Sequence, residues 1–262
     1  MSACPQPTSR RRAAAWRCWV LFFGLLVLPA CAANEAVPRG EMLEPPIVQL
    51  EGDHPDEEFP IGIHDPWEGW NRKVYLFNAR FDQMVFIPVV ESYRFVVPDP
   101  VRESVDNFFT NIDNLITFAN LMAQGKPMAA AQTVFRFALN TTLGVFGLFD
   151  PSTAIDVPQH KEDFGQTMGV WGVGDGPYMV LPVLGPSNVR DTAGLITDRV
   201  AFSLIDPLGA SSFQTDYPPV LALNIINARD RVEFRYYQTG SPFEYDLVRF
   251  LYTKKRQLDI AK

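Results

Sequence analysis

The chain has 262 residues, of which 47% are hydrophobic and 13% aromatic. That supplies a packed core for one large domain or two small ones and excludes global disorder. Its formal net charge of −7 at pH 7 excludes the clustered cationic excess that phosphate neutralisation needs, so no nucleic-acid partner is expected.

Residues 1–30 read as an export signal. Arg10, Arg11, Arg12 and Arg17 form a basic start, and Trp19 to Leu28 is an uncharged apolar run too short to span a bilayer. Leu28-Pro29-Ala30-Cys31 then sets small residues before a cysteine, the pattern of a bacterial lipobox. The plainer alternative is an ordinary signal with an incidental cysteine. Ser9-Arg10-Arg11 also hints at a twin-arginine route. The other cysteines, Cys4 and Cys18, leave with the signal, so the mature chain forms no intramolecular disulfide. Residues 31–63 read as the lipidated N-terminus and an acidic tether. Pro38, Pro45, Pro46, Pro55 and Pro60 interrupt it, and Arg39 is its lone base. As a coil it reaches about 30 Å.

Residues 64–262 read as a helical domain. Asp65-Pro66-Trp67-Glu68 has the form of a capping box. Trp67, Trp70, Val74, Phe77, Phe81 and Met84 follow as one apolar stripe, and Pro88 ends or bends that helix. Asp99-Pro100 opens a helix with Val101, Val105, Phe108 and Phe109. Ile112, Leu115, Phe118 (or Ala119) and Met122 mark another, closed by Gly125. Pro127 starts a helix carrying Ala131, Val134, Phe135, Ala138 and Leu139. Helices are also expected from Pro186 to about Phe202 and from Pro218 to about Tyr237. A capping box at Ser241 opens the last, whose Lys254, Lys255 and Arg256 suit the negative end of a helix dipole. Strand alternation is scarce, so the fold class is all-α, with some short helices and Gly-rich connections. After Cys31 no uncharged apolar run is long enough for a conventional transmembrane helix. Periodicity alone reads the aromatic stripes as an ordinary core; lying in a membrane interface is the other reading.

Signals for chemistry are weak, and neither a metal nor a cofactor is expected. His54, His64 and His160 show no i, i+4 pairing for zinc. Gly185 to Val189 lacks the final glycine of a nucleophile elbow, and Gly172 to Gly176 lacks dinucleotide-loop spacing. His160, Glu162 and Asp163 read either as an acid–base cluster or, more simply, as a solvated loop. The unusual stretch is 164–191, where glycines are dense among apolar residues and polar groups are isolated. Such backbone either packs tightly between helices or lines a site for something apolar with a polar end.

The blocks DPWEGWNRKVYLFNARFD (65–82), VPDPVRESVDNFFTNI (97–112), RFALNTTLGVFGLFD (136–150) and EDFGQTMGVWGVGDGPYMVLPVLGPSNVRD (162–191) resemble the MlaA (VacJ) family of outer-membrane lipoproteins. NARDRVEFRYYQTGSPFEYDLVRFLYTKKRQLDIA (227–261) is a looser match. The resemblance implies a ring-like assembly of amphipathic helices in the inner leaflet of the outer membrane. It implies removal of mislocalised phospholipids from the outer leaflet through a polar-lined channel, delivery to a periplasmic carrier protein, and association with trimeric porins. It implies no enzyme. The aromatic stripes would then face acyl chains as well as neighbouring helices. From the matched blocks, Arg136, Asn140, Thr141, Gln166, Asp175, Arg190 and Asp191 are the candidate channel or phospholipid-binding residues, with helix capping the alternative for several. Asn71, Asn78 and Asp82 lie off the first stripe and are expected to brace that helix. The stretch 143–163 is the expected gating loop. Ala32, where some lipoproteins carry a retention Asp, implies export to the outer membrane. Two competing readings are a porin-binding adaptor lipoprotein without lipid passage, and a lipid hydrolase, for which no nucleophile–base pair is evident.

Overall fold

A computed structural model of the protein describes residues 63–238 and 240–262; the expected export signal, Cys31 and the expected tether up to residue 62 lie outside the described residues. Helix α1 (Glu68–Phe81) follows a turn at Pro66, with Trp67 in the cap position and no side-chain cap. The expected cap at Asp65 is not made, because that buried carboxylate accepts hydrogen bonds from Asn71 Nδ2 at 2.7 Å and Arg249 Nη1 at 3.2 Å, and one from the Tyr245 hydroxyl. Three bonds to buried partners, one of them the charged Arg249, outweigh one exposed cap. The chain stays helical past Pro88: a widened π turn (Asp82–Phe86) leads into α2 (Ile87–Val96) and absorbs the proline's missing N–H.

The two helices expected from Asp99 and Ile112 are one, α3 (Asp99–Ala123), since no Gly or Pro interrupts the sequence between Val101 and Gln124. It pairs with α4 (Pro127–Thr142); the short α5 (Pro151–Ala154) and α6 (Phe164–Val170) follow. A hairpin then appears within the glycine-dense stretch, and its second strand takes the first residues of the helix expected from Pro186. Strands β1 (Tyr178–Leu181) and β2 (Gly185–Asn188) pair antiparallel, with Tyr178 opposite Asn188 and Leu181 opposite Gly185. Helix α7 (Val189–Ile205) therefore starts after Asn188, whose side chain accepts from the Asp191 N–H, and not at Pro186. A 3-10 turn (Pro207–Gly209), α8 (Ala210–Asp216), α9 (Pro218–Asp230) and α10 (Glu244–Ala261) complete the mainly helical fold. Helix α9 stops short of the expected Tyr237. Glu244 is buried; its Oε1 accepts from the Tyr75 hydroxyl and the Tyr237 N–H, both at 2.7 Å. Among the described residues no helix is long and apolar enough to cross a membrane.

The apolar core is small: Val74, Tyr75, Tyr178, Val180 and Tyr245, with edge-to-face aromatic contacts from Tyr75 to Tyr236 at 4.9 Å and Tyr245 at 5.7 Å. Elsewhere the helices face the reverse of an ordinary globular domain. On α1, Asn71 and Asn78 are buried, while Trp70 and Phe77 of the expected core stripe are 66% and 50% exposed. On α3 the buried face carries Asn111, Asn114, Thr117 and Asn120, and on α4 it carries Thr133, Arg136 and Asn140. Val134 and Phe135 point outward. Buried polar side chains outnumber buried apolar ones among the described residues. A buried polar group without a partner costs about 1–3 kcal/mol, so such an interior holds only when it is networked. Exposed apolar area on this scale marks contact with a protein or a membrane.

Candidate functional site

Three buried polar residues, Asn71 and Asn78 of α1 and Asp82 at the start of the π turn, fasten this segment to distant parts of the chain. Asn71 donates to the Tyr178 carbonyl at 3.2 Å and accepts from the Val180 N–H at 2.9 Å. Asn78 donates to the Leu181 carbonyl at 2.9 Å and accepts from the Val183 N–H at 2.7 Å. Together they mimic an extra strand along β1 and its turn. Asp82 takes both arms of Arg229 from α9, at 2.6 and 2.7 Å. Hydrogen bonding to Asp82 raises the Arg229 pKa above its ordinary value. Asn78→Ala frees one carbonyl and one N–H at the hairpin turn and is expected to cost about 1–2 kcal/mol, read from denaturant unfolding of the purified protein.

Two adjoining cavities open beside this joint. The first, about 380 Å³, lies between Phe81, Phe86, Phe234, Val248, Leu251 and Lys255, with Asn78 and Asp82 on its wall. The second, about 570 Å³, lies between α7, α8 and α9. Phe86, Val183, Leu184, Arg229 and Val232 form the shared partition. Val183, at the hairpin turn, has φ +67°, a left-handed conformation costly for a β-branched residue.

The seven candidate channel residues fall into separate groups, and none lines these two cavities. Arg136 and Asn140 converge on Asp150: Arg136 Nη2 is 2.6 Å from Asp150 Oδ2, and Asn140 Nδ2 is 2.9 Å from Asp150 Oδ1. Arg136 also donates to the Val157 carbonyl. These bonds fasten the stretch 143–163 to α4. That stretch carries successive left-handed residues at Val145, Phe146 and Gly147, with Phe146 exposed. Thr141 accepts from Asn111 at 2.9 Å, on the α3 side.

Gln166, Asp175, Arg190 and Asp191 are brought together. Gln166 donates its backbone N–H to Asp163, the cap of α6, at 2.9 Å. Arg190 pairs with Asp175 and, at 2.9 Å, with Asp191. Asp191 is the hub: its Oδ2 accepts from Arg256 at 2.8 Å, Tyr252 at 2.7 Å and Asn188 at 2.8 Å. Arg256 bridges onward to both oxygens of Asp163 at 2.7 and 2.8 Å. Burial pushes the Asp191 and Asp163 carboxyls up, but the hydrogen bonds and charge of Arg256 outweigh it and hold both below the usual carboxylate range.

Arg256 is a correction to the sequence reading. Helix α10 continues to Ala261, so Lys254, Lys255 and Arg256 do not end it, and Arg256 is largely buried in an ion-pair network. Its partners lie 65 and 93 positions away, a pairing that periodicity along one helix does not reveal. The acid–base reading of His160, Glu162 and Asp163 also dissolves. His160 meets Gln132 at 2.9 Å, Glu162 meets Gln124 at 3.0 Å, and Asp163 is taken by Arg256. Among the described residues no group of His, Cys, Asp or Glu is placed to hold a metal ion.

The family model described as MlaA lipoprotein matches residues 63–259. An uncharacterized protein of Rickettsia conorii is 34% identical over 169 residues, covering 64% of this chain and 66% of its own length. The intermembrane phospholipid transport system lipoprotein MlaA of Escherichia coli strain K12 is 36% identical over 141 residues, covering 52% of this chain and 56% of its own. The matched region thus spans about two thirds of the first of these relatives and a little over half of the second. A solved structure reported as "Structural basis for maintenance of bacterial outer membrane lipid asymmetry" superposes with a TM-score of 0.61 at 28% identity, covering 75% of this chain and 98% of that one.

Proposed function

The chain belongs to the MlaA lipoprotein family, and from that premise we propose that it is an outer-membrane lipoprotein, anchored in the periplasmic leaflet through lipid on Cys31. In this reading it removes mislocalised phospholipids from the outer leaflet through a polar-lined passage and hands them to a periplasmic carrier protein. It makes and breaks no covalent bond and needs no cofactor. The observation that carries the proposal is the inversion of the helices, with Asn, Thr and Arg turned inward and Trp70, Phe77, Phe95 and Phe135 turned out.

The physical logic follows. A phospholipid changes leaflet slowly because its head group must cross hydrocarbon, where unpaired polar groups cost several kcal/mol. A ring of helices with a polar inner wall removes that barrier while its apolar outer faces sit among acyl chains. Arg136, Asn140, Thr141, Gln166, Asp175, Arg190 and Asp191 are assigned to that wall, held stiff by the Asp150 and Arg256 networks. The strained, apolar-tipped stretch 143–163 is assigned the gate, and a trimeric porin is the proposed neighbour in the membrane. One acyl chain gives marginal membrane binding, so lipidation and the embedded helix faces act together.

Reconstitution of the purified, lipidated protein in vesicles tests passage directly. Fluorescent phospholipid is expected to move between leaflets faster than in protein-free vesicles. Equal rates, alongside porin binding, would replace the channel with the adaptor reading.

A further inference from the structure

We propose that Arg199 is a phosphate-binding residue for a glycerophospholipid held in the second cavity, an assignment that rests on the lipid-transport reading above. Helix α7 divides into two faces. Ile196, Val200 and Leu204 stand at i, i+4 and i+8 and are exposed, an apolar stripe. Phe202 is buried in the wall of the cavity of about 570 Å³, and Arg199 and Ser203 line it at its solvent-exposed edge. Its remaining wall is amphipathic: Leu221 and Ile225 supply hydrocarbon, and Gln214 and Asn224 supply polar groups.

Within this cavity the cations differ in commitment. Arg229 is bound by both oxygens of Asp82 and by the Val232 and Phe234 carbonyls. Arg199 makes no ion pair or hydrogen bond among the described residues. The carboxylates of Asp113 and Asp198 feel its charge. Asp198 is itself occupied by the Phe164 N–H at 2.8 Å and Asn120 at 3.0 Å. An uncommitted guanidinium at the edge of an apolar cavity matches a ligand with one phosphodiester and a hydrocarbon tail. Its planar fork accepts two phosphate oxygens, and the volume is that of a small-molecule site.

Native mass spectrometry of the full-length lipidated protein, released from nanodiscs, tests this. The nanodiscs carry phosphatidylglycerol and diacylglycerol with the same acyl chains. The wild type is expected to retain phosphatidylglycerol over diacylglycerol by roughly tenfold or more, the worth of a charge-assisted hydrogen bond. Arg199→Ala is expected to lose that preference while binding diacylglycerol as before, and Arg199→Lys to keep part of it. Excess inorganic phosphate is expected to leave the lipid bound. An Arg199→Ala protein with the wild-type preference would overturn the assignment and leave lipid transport standing. Displacement of lipid by inorganic phosphate would overturn it by making Arg199 a free-anion site. A wild type that retains neither lipid would overturn the assignment together with the transport reading.

Discussion

Arg256→Ala is expected to destabilise the purified protein by about 2–3 kcal/mol at pH 7, because it takes the shared cation from the enclosed Asp191, which keeps Arg190, and from Asp163, whose partial exposure lets water screen part of the loss. The sign of the pH dependence follows from the direction of their shifts. Both carboxyls are held below the ordinary carboxylate range in the folded protein. Their contribution is therefore fully present above the unfolded-state pKa of about 4 and is lost as pH falls through the depressed native values. In the variant the cation is gone, the same carboxyls rise, and acid unfolding sets in at higher pH than in the wild type. Denaturant titrations across pH read both effects. The stability gap is expected to be widest near neutrality and to close in acid. A gap that stays constant with pH would mean that Arg256 acts through packing of its stem alone.

Gly194→Ala is expected to cost about 3 kcal/mol, although alanine favours a helix by about 1 kcal/mol over glycine. A Cβ at position 194 would stand 2.3 Å from the Gly165 backbone nitrogen and 2.6 Å from its Cα. Both contacts are main chain, so no side-chain rotation relieves them, and α6 must lift off α7. The same displacement reaches the ion network, because a Cβ at Gly165 would stand 2.7 Å from Asp191 Oδ1 and 2.9 Å from Arg256 Nη2. The glycine pair lets two helices approach closely enough for Asp163 and Asp191 to share one arginine. The double variant Gly194→Ala with Arg256→Ala is therefore expected to lose less than the sum of the single losses. Strict additivity would show that the helix crossing and the ion network are independent.

Much of the helical punctuation was legible in the sequence. Pro127 opens α4 and Gly125, at φ +72°, follows the end of α3, as their chemistry dictates. What periodicity misread was direction. The stripe Trp70, Phe77, Met84 has the spacing of a core face, and hydrophobic period is the same whether the apolar partner is a protein interior or an acyl chain. The resemblance to lipoproteins of the outer membrane is what favoured the second reading. The hairpin escaped because Tyr178-Met179-Val180-Leu181 is short and its register depends on Asn71 and Asn78, more than a hundred positions earlier. Asp150, Arg229 and Arg256 escaped for the same reason: a buried ion pair is defined by its partner, and each partner comes from another element. Gly165 and Gly169 of the glycine-dense stretch serve close helix packing, the plainer of its two readings.

The most direct test of the account is the phospholipid content of the outer leaflet in a strain lacking this protein, complemented by the intact gene or by a Cys31→Ala copy. The account predicts that phospholipid accumulates on the cell surface in the deletion strain, that the intact gene reverses it, and that the Cys31→Ala copy does so poorly. An outer leaflet unchanged by the deletion would contradict removal of phospholipid as this protein's role.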